Sequence, residues 1–577
     1  MIHFYDFEVF KYDWLVVIIN PTDRSETVIV NDREKLIEYY NKYKGDIWVG
    51  YNSRNYDQYI LKAILCDFNP KEVNDYIIAK RQKGWSFSSL FRKFPLYNYD
   101  VAKLNDGGLK TLESFMGNDI CETSVPFDID RKLTKSEIAE TIKYCRHDVE
   151  QTIEVFCNRI DDFNAHMSLI KTFQQPLSYI SKTQAQLSAA VLECEKVERF
   201  DEWEITIVDT LRLTKYKYVL DWFKEQIKKQ KYSSPLKTKI AGVEHSFGWG
   251  GVHGAIKKYH GEGLILHVDV NSYYPSLMLR YGFLTRNSKS PEKYREIYET
   301  RLALKRAGKK KEQAPYKIVL NATFGICKDK NSAAYDPLQA NNICINGQLL
   351  LLDLIEKLEV IPGFQLIQSN TDGLIIKIPD TNEAFEMADD ICYEWEHRTG
   401  MGLGFDIIDY IYQKDVNNYI FHFADVEENG KNRNKLERKG AYMLEYNVLK
   451  NDLTIVNQAM VEYMVNRIPV EKTIRECKDL SLFQKVVKIS DKYEAGWHNG
   501  QKLNDKTYRV FASKNKRDGI IGKQKSANAT IEKFANTPDN CFIINSNIKN
   551  TPIPDKVDII WYIDLAKKRL SDYGVEV

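Results

Sequence analysis

No stretch of the chain approaches the roughly 18 consecutive apolar residues that a membrane-spanning helix needs. The strongest apolar run, Trp14 to Ile19, has only the length of a buried strand. The ten cysteines lie scattered from Cys66 to Cys541 without a single CxxC pair, which fits buried reduced thiols better than a disulfide framework or a zinc ribbon. Excess charge of either sign is also missing: 82 Lys and Arg against 80 Asp and Glu leave a formal +2, so overall charge points to no polyanionic partner. Internal repeats and low-complexity tracts are absent. Met1-Ile2-His3-Phe4-Tyr5-Asp6 carries no basic segment followed by an apolar one, so a cytoplasmic protein is expected.

What is present is ordinary globular material. The 43% hydrophobic and 28% charged residues exclude wholesale disorder, and the length corresponds to about four domains or subdomains. Basic clusters occur at Lys228, Lys229 and Lys231, at Lys309 to Lys311, at Lys431 to Lys439 and at Lys514 to Lys525. Each alone reads as a solvated face and counts only if the chemistry elsewhere needs a phosphate track.

Short apolar strands alternate with helix patterns up to about Phe156, predicting an α/β domain built on a sheet. That block ends in a helix announced by the capping box Thr134-Lys135-Ser136-Glu137 and striped by Ile138, Ile142, Cys145, Val149 and Ile153. A mostly helical connector is expected to about Lys239, then a Gly-rich segment, Phe247-Gly248-Trp249-Gly250-Gly251. After it come a strand over Leu264 to Val270, a charged helical pair (about Tyr294 to Ala307 and Glu312 to Ala322), a long apolar helix from about Gln348 to Val360, and a hairpin around Asp372-Gly373. Glu427 to Asn434 reads as a loop.

Two sets of carboxylates carry chemistry. Asp6 and Glu8 alternate on a strand, so both face one way with aromatics opposite. Asp57 follows in Asn52-Ser53-Arg54-Asn55-Tyr56-Asp57, and Tyr144 and Asp148 stand four apart on one helix face. Four acids and a tyrosine suit phosphodiester hydrolysis with two divalent metals, the tyrosine orienting the attacking water. His147 on its own reads as a helix-surface histidine. In the second set, Asp269 ends a strand and Asp372 sits in a hairpin; if those strands pair, the two acids converge as two-metal nucleotidyl transfer requires. Between them Lys317, Asn321 and Phe324 share one helix face suited to a nucleoside triphosphate, and Arg301 and Lys305 can face the same phosphates from the preceding helix.

In order and spacing these stretches resemble family B DNA polymerases. Asp6 to Glu8, Asn52 to Asp57 and Tyr144 to Asp148 match the three motifs of the proofreading 3′–5′ exonuclease domain. Asp269 to Ser276 is similar to polymerase motif A and Lys317 to Gly325 to motif B, with Phe324 in a tyrosine place. Asn370-Thr371-Asp372-Gly373 looks like a variant of motif C, and Lys439-Gly440-Ala441-Tyr442 like a lengthened form of the motif that holds the primer end. The resemblance covers about residues 1 to 445 and is closest to compact bacteriophage or mobile-element members.

The resemblance implies an RNase H-like exonuclease domain (1–165), a connector and N-terminal palm segment (166–260), palm (261–285), short fingers (286–330), palm again (331–445) and a thumb or DNA-binding region (446–577). It implies Mg²⁺, two per site with Mn²⁺ as a substitute. Asp6, Glu8, Asp57 and Asp148 would be ligands in one site, and Asp269, Asp372 and the Val270 carbonyl in the other. Tyr274 would be the ring that excludes a ribose 2′-hydroxyl, Asn52 would steer the primer end, and Gly250, Gly251, Lys439 and Tyr442 would touch DNA. Primer-template, dNTPs and replication accessory proteins are the implied partners of a monomer located in the host cytoplasm if phage-encoded. Asp269 and Lys317 are 48 positions apart, which leaves no room for the insertions of protein-primed relatives. Asn370 and Gly373 keep open a nuclease whose polymerase half has decayed, and a primer-template-binding protein without turnover is the reading from another class.

Overall fold

The computed structural model describes residues 1–424, 427–428, 431–432 and 436–577. They form two compact units of mixed α/β structure containing several sheets. The first unit comprises Met1–Thr183, Tyr446–Ala459 and Pro469–Asp564; the second comprises Gln184–Glu445, Met460–Ile468 and Leu565–Val577. The region beyond residue 446, expected as one piece, is thus divided between them. No helix among the described residues is long and apolar enough to cross a membrane.

In the first unit a five-stranded sheet has the order β3-β2-β1-β4-β5. Its strands are β1 (Ile2–Val9), β2 (Trp14–Asn20), β3 (Ser25–Val30), β4 (Ile47–Gly50) and β5 (Tyr97–Asp100). β1 to β3 are antiparallel, whereas β4 runs parallel to both β1 and β5. The period-two pattern of β1 sends Tyr5, Phe7 and Val9 into a core with Trp48, Ile60 and Leu61. Helices α1 (Asp57–Leu65), α2 (Leu109–Phe115) and α3 (Lys135–Asn158) surround the sheet's functional end. The expected capping box starts α3: Thr134 Oγ1 accepts from the Glu137 N–H at 3.3 Å and Glu137 Oε2 from the Thr134 N–H at 2.8 Å. α3 packs on the Asp6 and Glu8 face of β1, with the Phe4 and Phe156 rings 5.2 Å apart.

The later segments of this unit are β-rich, with a three-stranded sheet of Lys485–Lys488, Thr507–Ala512 and Cys541–Ile543 beside a four-stranded one. One buried cation ties them to α2. Arg509 is fully buried and donates to Gln484 Oε1 (2.8 Å) and to four carbonyls: Ile544 (3.3 Å), Ser546 (2.9 Å), Ser114 (2.9 Å) and Asn118 (2.8 Å). Ser114 lies in the last turn of α2, where carbonyls lack intrahelical partners and favour a positive charge. Burial lowers the guanidinium to about 10, so it stays charged at neutral pH.

The second unit is built on a nine-stranded, wholly antiparallel sheet of order β14-β13-β12-β9-β11-β10-β8-β7-β6. The strands are β6 (Leu236–Ile240), β7 (Val243–Phe247), β8 (His253–Ala255), β9 (Tyr259–Val270), β10 (Gln365–Asn370), β11 (Gly373–Lys377), β12 (Leu403–Asp415), β13 (Asn418–Phe423) and β14 (Leu436–Lys439). Helices α4 (Tyr273–Arg280), α5 (Pro291–Arg306), α6 (Lys310–Lys328) and α7 (Pro337–Leu358) complete the part that concerns the site.

Four expectations change. The connector is not mostly helical: between the helices Gln184–Val191 and Lys217–Lys229 the chain has no regular helix. Its backbone N–H groups are taken by side chains of α7 instead. Asn342 accepts from Thr206 (2.9 Å), Asn346 from Val208 (3.0 Å), Asp353 from Arg212 (2.9 Å) and Glu356 from Thr214 (2.8 Å). α7 also begins well before Gln348: its first half carries buried Asn342 and Asn346, satisfied by these bonds, among buried Leu338, Ile343 and Ile345. The hairpin loop is Thr371-Asp372, with Asn370 paired to Gly373, so Gly373 opens β11 rather than occupying the turn. Finally, the stretch 427–434 holds a strand pair, Glu427–Glu428 with Lys431–Asn432, while residues 429, 430, 433 and 434 lie outside the described residues.

Replacing Arg509 with Met leaves several buried acceptors unpartnered, so the first unit should lose at least about 3 kcal/mol. A shift of its urea midpoint to lower concentration, read by fluorescence, measures this; an unchanged midpoint would reject the assignment.

Candidate active sites

In the first unit all five residues expected for hydrolysis come together. Asp6 and Glu8 leave β1 on the face covered by α3, which supplies Tyr144 and Asp148. Asp57, nearly inaccessible, opens α1 and accepts the Phe7 N–H at 3.2 Å, so its carboxylate lies beside β1 at a helix N-terminus. Burial is the largest cause raising the Asp6 and Glu8 carboxyls, followed by neighbouring acids: Asp57, Glu8 and Asp148 act on Asp6, and Asp148 and Asp57 on Glu8. Burial likewise pushes Asp57 up to about 7 and Asp148 up to about 6. The Tyr144 hydroxyl is held protonated by burial and by Asp148, Glu8 and Asp6.

Such mutual repulsion fits a hard divalent cation with oxygen ligands. Ligand atoms of Asp6, Glu8 and Cys145 all lie within 4.8 Å of one another, as do those of Glu113, His147 and Asp148. The Cys145 thiol is buried and donates to the Asp6 carbonyl at 3.3 Å. That makes it a packing group behind the acids.

Three residues of this site escape sequence reasoning. Lys110 of α2 pairs with Asp148 and with Glu113 (3.0 Å), and lies 4.7 Å from the centre of the Tyr144 ring. Glu113 has no exposed side-chain surface and lies 3.4 Å from His147. His147 is therefore half-buried at the edge of this network and not the surface histidine expected. On a seven-residue helix, Lys110 and Glu113 look like an ordinary i,i+3 surface pair. Asp100, at the end of β5, accepts the N–H groups of Asn52 (2.8 Å) and Arg54 (3.0 Å). It thereby holds exposed Asn52 in the left-handed conformation, φ 59°.

In the second unit Asp269 and Gly373 face each other across β9 and β11, and the Val270 N–H donates to the Asp372 carbonyl at 2.8 Å. The two acids expected to converge are thus joined through their backbones. A Cβ on Gly373 would lie 3.1 Å from Asp269 Oδ1, so glycine leaves that carboxylate its space. Asp269 is pushed up to about 7, first by burial, then by Asp372 and Asp406, against Lys305. Burial raises Asp372, and Lys439 opposes it. Thr371, next to Asp372 in sequence, and Ser272, three residues after Asp269, both have left-handed φ (48° and 52°), an uncommon state for residues with a Cβ.

The other expected residues are distributed as follows. Tyr274 and Phe324 rings pack at 4.5 Å, while the Tyr273 hydroxyl donates to the Gly347 carbonyl at 2.6 Å. Arg301 Nη1 donates to Ser272 Oγ at 2.7 Å, and its buried Nε has no partner among the described residues. Lys317 and Asn321 are exposed on the α6 face that also carries Phe324. Gly251 packs under the hairpin, where a Cβ would approach Thr371 Oγ1 to 2.6 Å, whereas Gly250 has open space. The missed residue here is Gln348, whose Nε2 donates to the Gly248 (2.7 Å) and Gly250 (2.8 Å) carbonyls and whose Oε1 accepts the Gly248 N–H (3.0 Å). Asn370 Oδ1 lies 3.1 Å from His253 Nδ1, and Asn370 Nδ2 donates to the Val416 carbonyl at 3.4 Å, a bond that an acid could not make. Lys439 lies 5.8 Å from the Tyr419 ring centre, and Tyr442 is covered by Arg569 at 3.9 Å.

Back in the first unit, Lys516, Arg517 and Lys525 are exposed. Lys523 lies over Tyr493 (4.4 Å), and Lys514 donates to the Asp555 carbonyl (2.6 Å).

No protein-family model matches the chain, and no curated protein does. Among solved structures it is similar to the family B DNA polymerase from the hyperthermophilic archaeon Pyrobaculum calidifontis, at 14% identity and a TM-score of 0.40, over 100% of this chain and 78% of that one.

A carboxyl raised by folding binds its proton more tightly folded than unfolded, so stability falls as pH rises between the unfolded and folded values. For Asp57 and Asp148, with folded values of about 7 and 6, the loss runs from about pH 4 to 7. Without metal, the first unit's melting temperature should fall over that range and D57N should flatten the slope. Mg²⁺ should raise the melting temperature more at pH 7.5 than at pH 5; equal shifts would contradict metal binding by these acids.

Proposed function

We propose that the chain is a template-directed DNA polymerase with a 3′–5′ proofreading exonuclease, the first 165 residues forming the exonuclease domain and residues 261–445 the palm and short fingers. The observation that supports it most is the facing of Asp269 and Gly373 across paired strands, with Asp372 tied to Val270 in the adjoining turn. Asp269, Asp372 and the Val270 carbonyl would hold Mg²⁺, which when bound lowers the pKa of a primer 3′-hydroxyl and neutralises charge on the leaving pyrophosphate. The deprotonated forms of both acids are the ligands, and Lys305 and Lys439 favour those forms.

Around this pair the chain's own groups bind and orient. Arg301, with Nε unpartnered, Lys305 and Lys317 attract triphosphate oxygens, and Asn321 and Phe324 border the sugar and base. Tyr274, braced by Phe324, leaves no room for a 2′-hydroxyl. Lys439 and Tyr442 hold the primer strand, and Gly251 lets the loop after β7 lie against the catalytic turn.

In the other site Asp6, Glu8, Asp57 and Asp148 would hold metal and Tyr144 would position the attacking water. Lys110, which pairs with Asp148, would be placed to meet the scissile phosphate. Asn52, held out by Asp100, meets the single-stranded primer end. The paired amide of Asn370 gives no support to a decayed polymerase half.

A 5′-labelled primer-template with Mg²⁺ should lengthen with dNTPs and shorten from its 3′ end without them. D372N should abolish lengthening and spare shortening, and D57N the reverse, each by about a thousandfold or more. Tyr274→Ala should raise ribonucleotide incorporation. Shortening in every lane would favour the nuclease reading, and an untouched primer would favour a binding protein without turnover.

A further inference from the structure

The final residues of the chain return to the second unit. They close on Tyr442, three residues beyond Lys439, whose charge acts on Asp372. The turn between them is fixed at one end by fully buried Met443, whose N–H donates to the Gly440 carbonyl at 3.0 Å. Tyr442 is held differently. The Arg569 guanidinium, 6% exposed on the helix Ile559–Ser571, lies 3.9 Å from the Tyr442 ring centre, and Lys414 lies 5.8 Å from it. Lys414 is itself paired with Asp572 at 3.2 Å. Two residues past Asp572, Gly574 comes so close to β9 that a Cβ would meet the Lys258 carbonyl at 2.4 Å, and the Lys258 N–H donates to the Lys414 carbonyl at 3.1 Å. The buried Tyr573 hydroxyl has no partner among the described residues.

Of these groups Arg569 and Lys414 bear on the Tyr442 ring itself, and the Asp572 pair holds Lys414 in place. A guanidinium at such a distance is attracted by the face of the ring and, removed from water, resists displacement. Tyr273, by contrast, is fixed through its hydroxyl, on the Gly347 carbonyl. Tyr442 is held through its ring, and its hydroxyl makes no hydrogen bond among the described residues, which suits it to a group outside the protein.

We propose that Arg569 is a positioning residue for primer-strand binding, acting through Tyr442, so that the C-terminal helix belongs to the DNA-holding part of the polymerase site. This rests on the polymerase reading and assigns a role to a segment in which the sequence shows no motif.

The test compares wild type with R569M, R569K, Y442A and the R569M/Y442A double variant, using fluorescence anisotropy of a labelled primer-template in EDTA and the steady-state KM for primer-template and for dNTP. R569M should weaken primer-template binding about tenfold, with dNTP KM unchanged. R569K should recover part of the loss, and the double variant should bind no worse than Y442A. Wild-type affinity in R569M, losses that add fully in the double variant, or a lower kcat with unchanged KM and a lower melting temperature would each overturn the proposal. Failure of the wild type to extend any primer would instead overturn the polymerase reading, and the anisotropy comparison still decides whether Arg569 acts through Tyr442.

Discussion

The first unit depends on a buried charge that is met by carbonyls and forms no ion pair among the described residues. Arg509 satisfies four carbonyls and one side-chain amide from three parts of the chain, two of those carbonyls at or just beyond the end of α2. A seven-residue helix does not persist by itself, because its few internal hydrogen bonds do not offset the cost of nucleating it. Held from its C-terminal end, α2 keeps Lys110 and Glu113 aimed at Asp148. A β-rich segment remote in sequence thus sets the electrostatics of the acid cluster.

Both units bring like charges together where water is scarce, and each answers with nearby cations from other elements. In the first, Lys110 sits between Asp148 and Glu113; in the second, Lys305 and Lys439 act on Asp269 and Asp372. None of these lysines replaces a metal, since an ammonium neutralises one charge and each cluster carries more. They lower the repulsion enough for the fold to form while leaving the oxygens a reason to gather a divalent ion.

Much of this was legible in the sequence. Period-two alternation put Asp6 and Glu8 on one face, the capping box set the start of α3, and the spacing of Tyr144 and Asp148 put both on the side that meets β1. The approach of Asp372 to Asp269 followed once strands were assumed on either side. What stayed hidden depends on contacts between distant segments. The connector was misread because Asn342, Asn346, Asp353 and Glu356 supply the bonds a helix would otherwise make, and no local pattern announces that. Lys110, Glu113, Gln348 and Arg509 look like ordinary polar residues until their partners are known. His147 was misjudged for the same reason, its buried neighbour Glu113 lying 34 positions away.

The order of segments along the chain has a consequence for how the protein is made. The first unit opens at Met1 and is not complete until Asp564, with most of the second unit between. Arg509 emerges 395 residues after the Ser114 carbonyl it must meet. At translation rates of roughly 5 to 20 residues per second, the amino-terminal sheet and α2 wait roughly 20 to 80 seconds for their anchor. Throughout that interval the crowded acids of β1, α1 and α3 stand without it, and the second unit can finish most of its own sheet first.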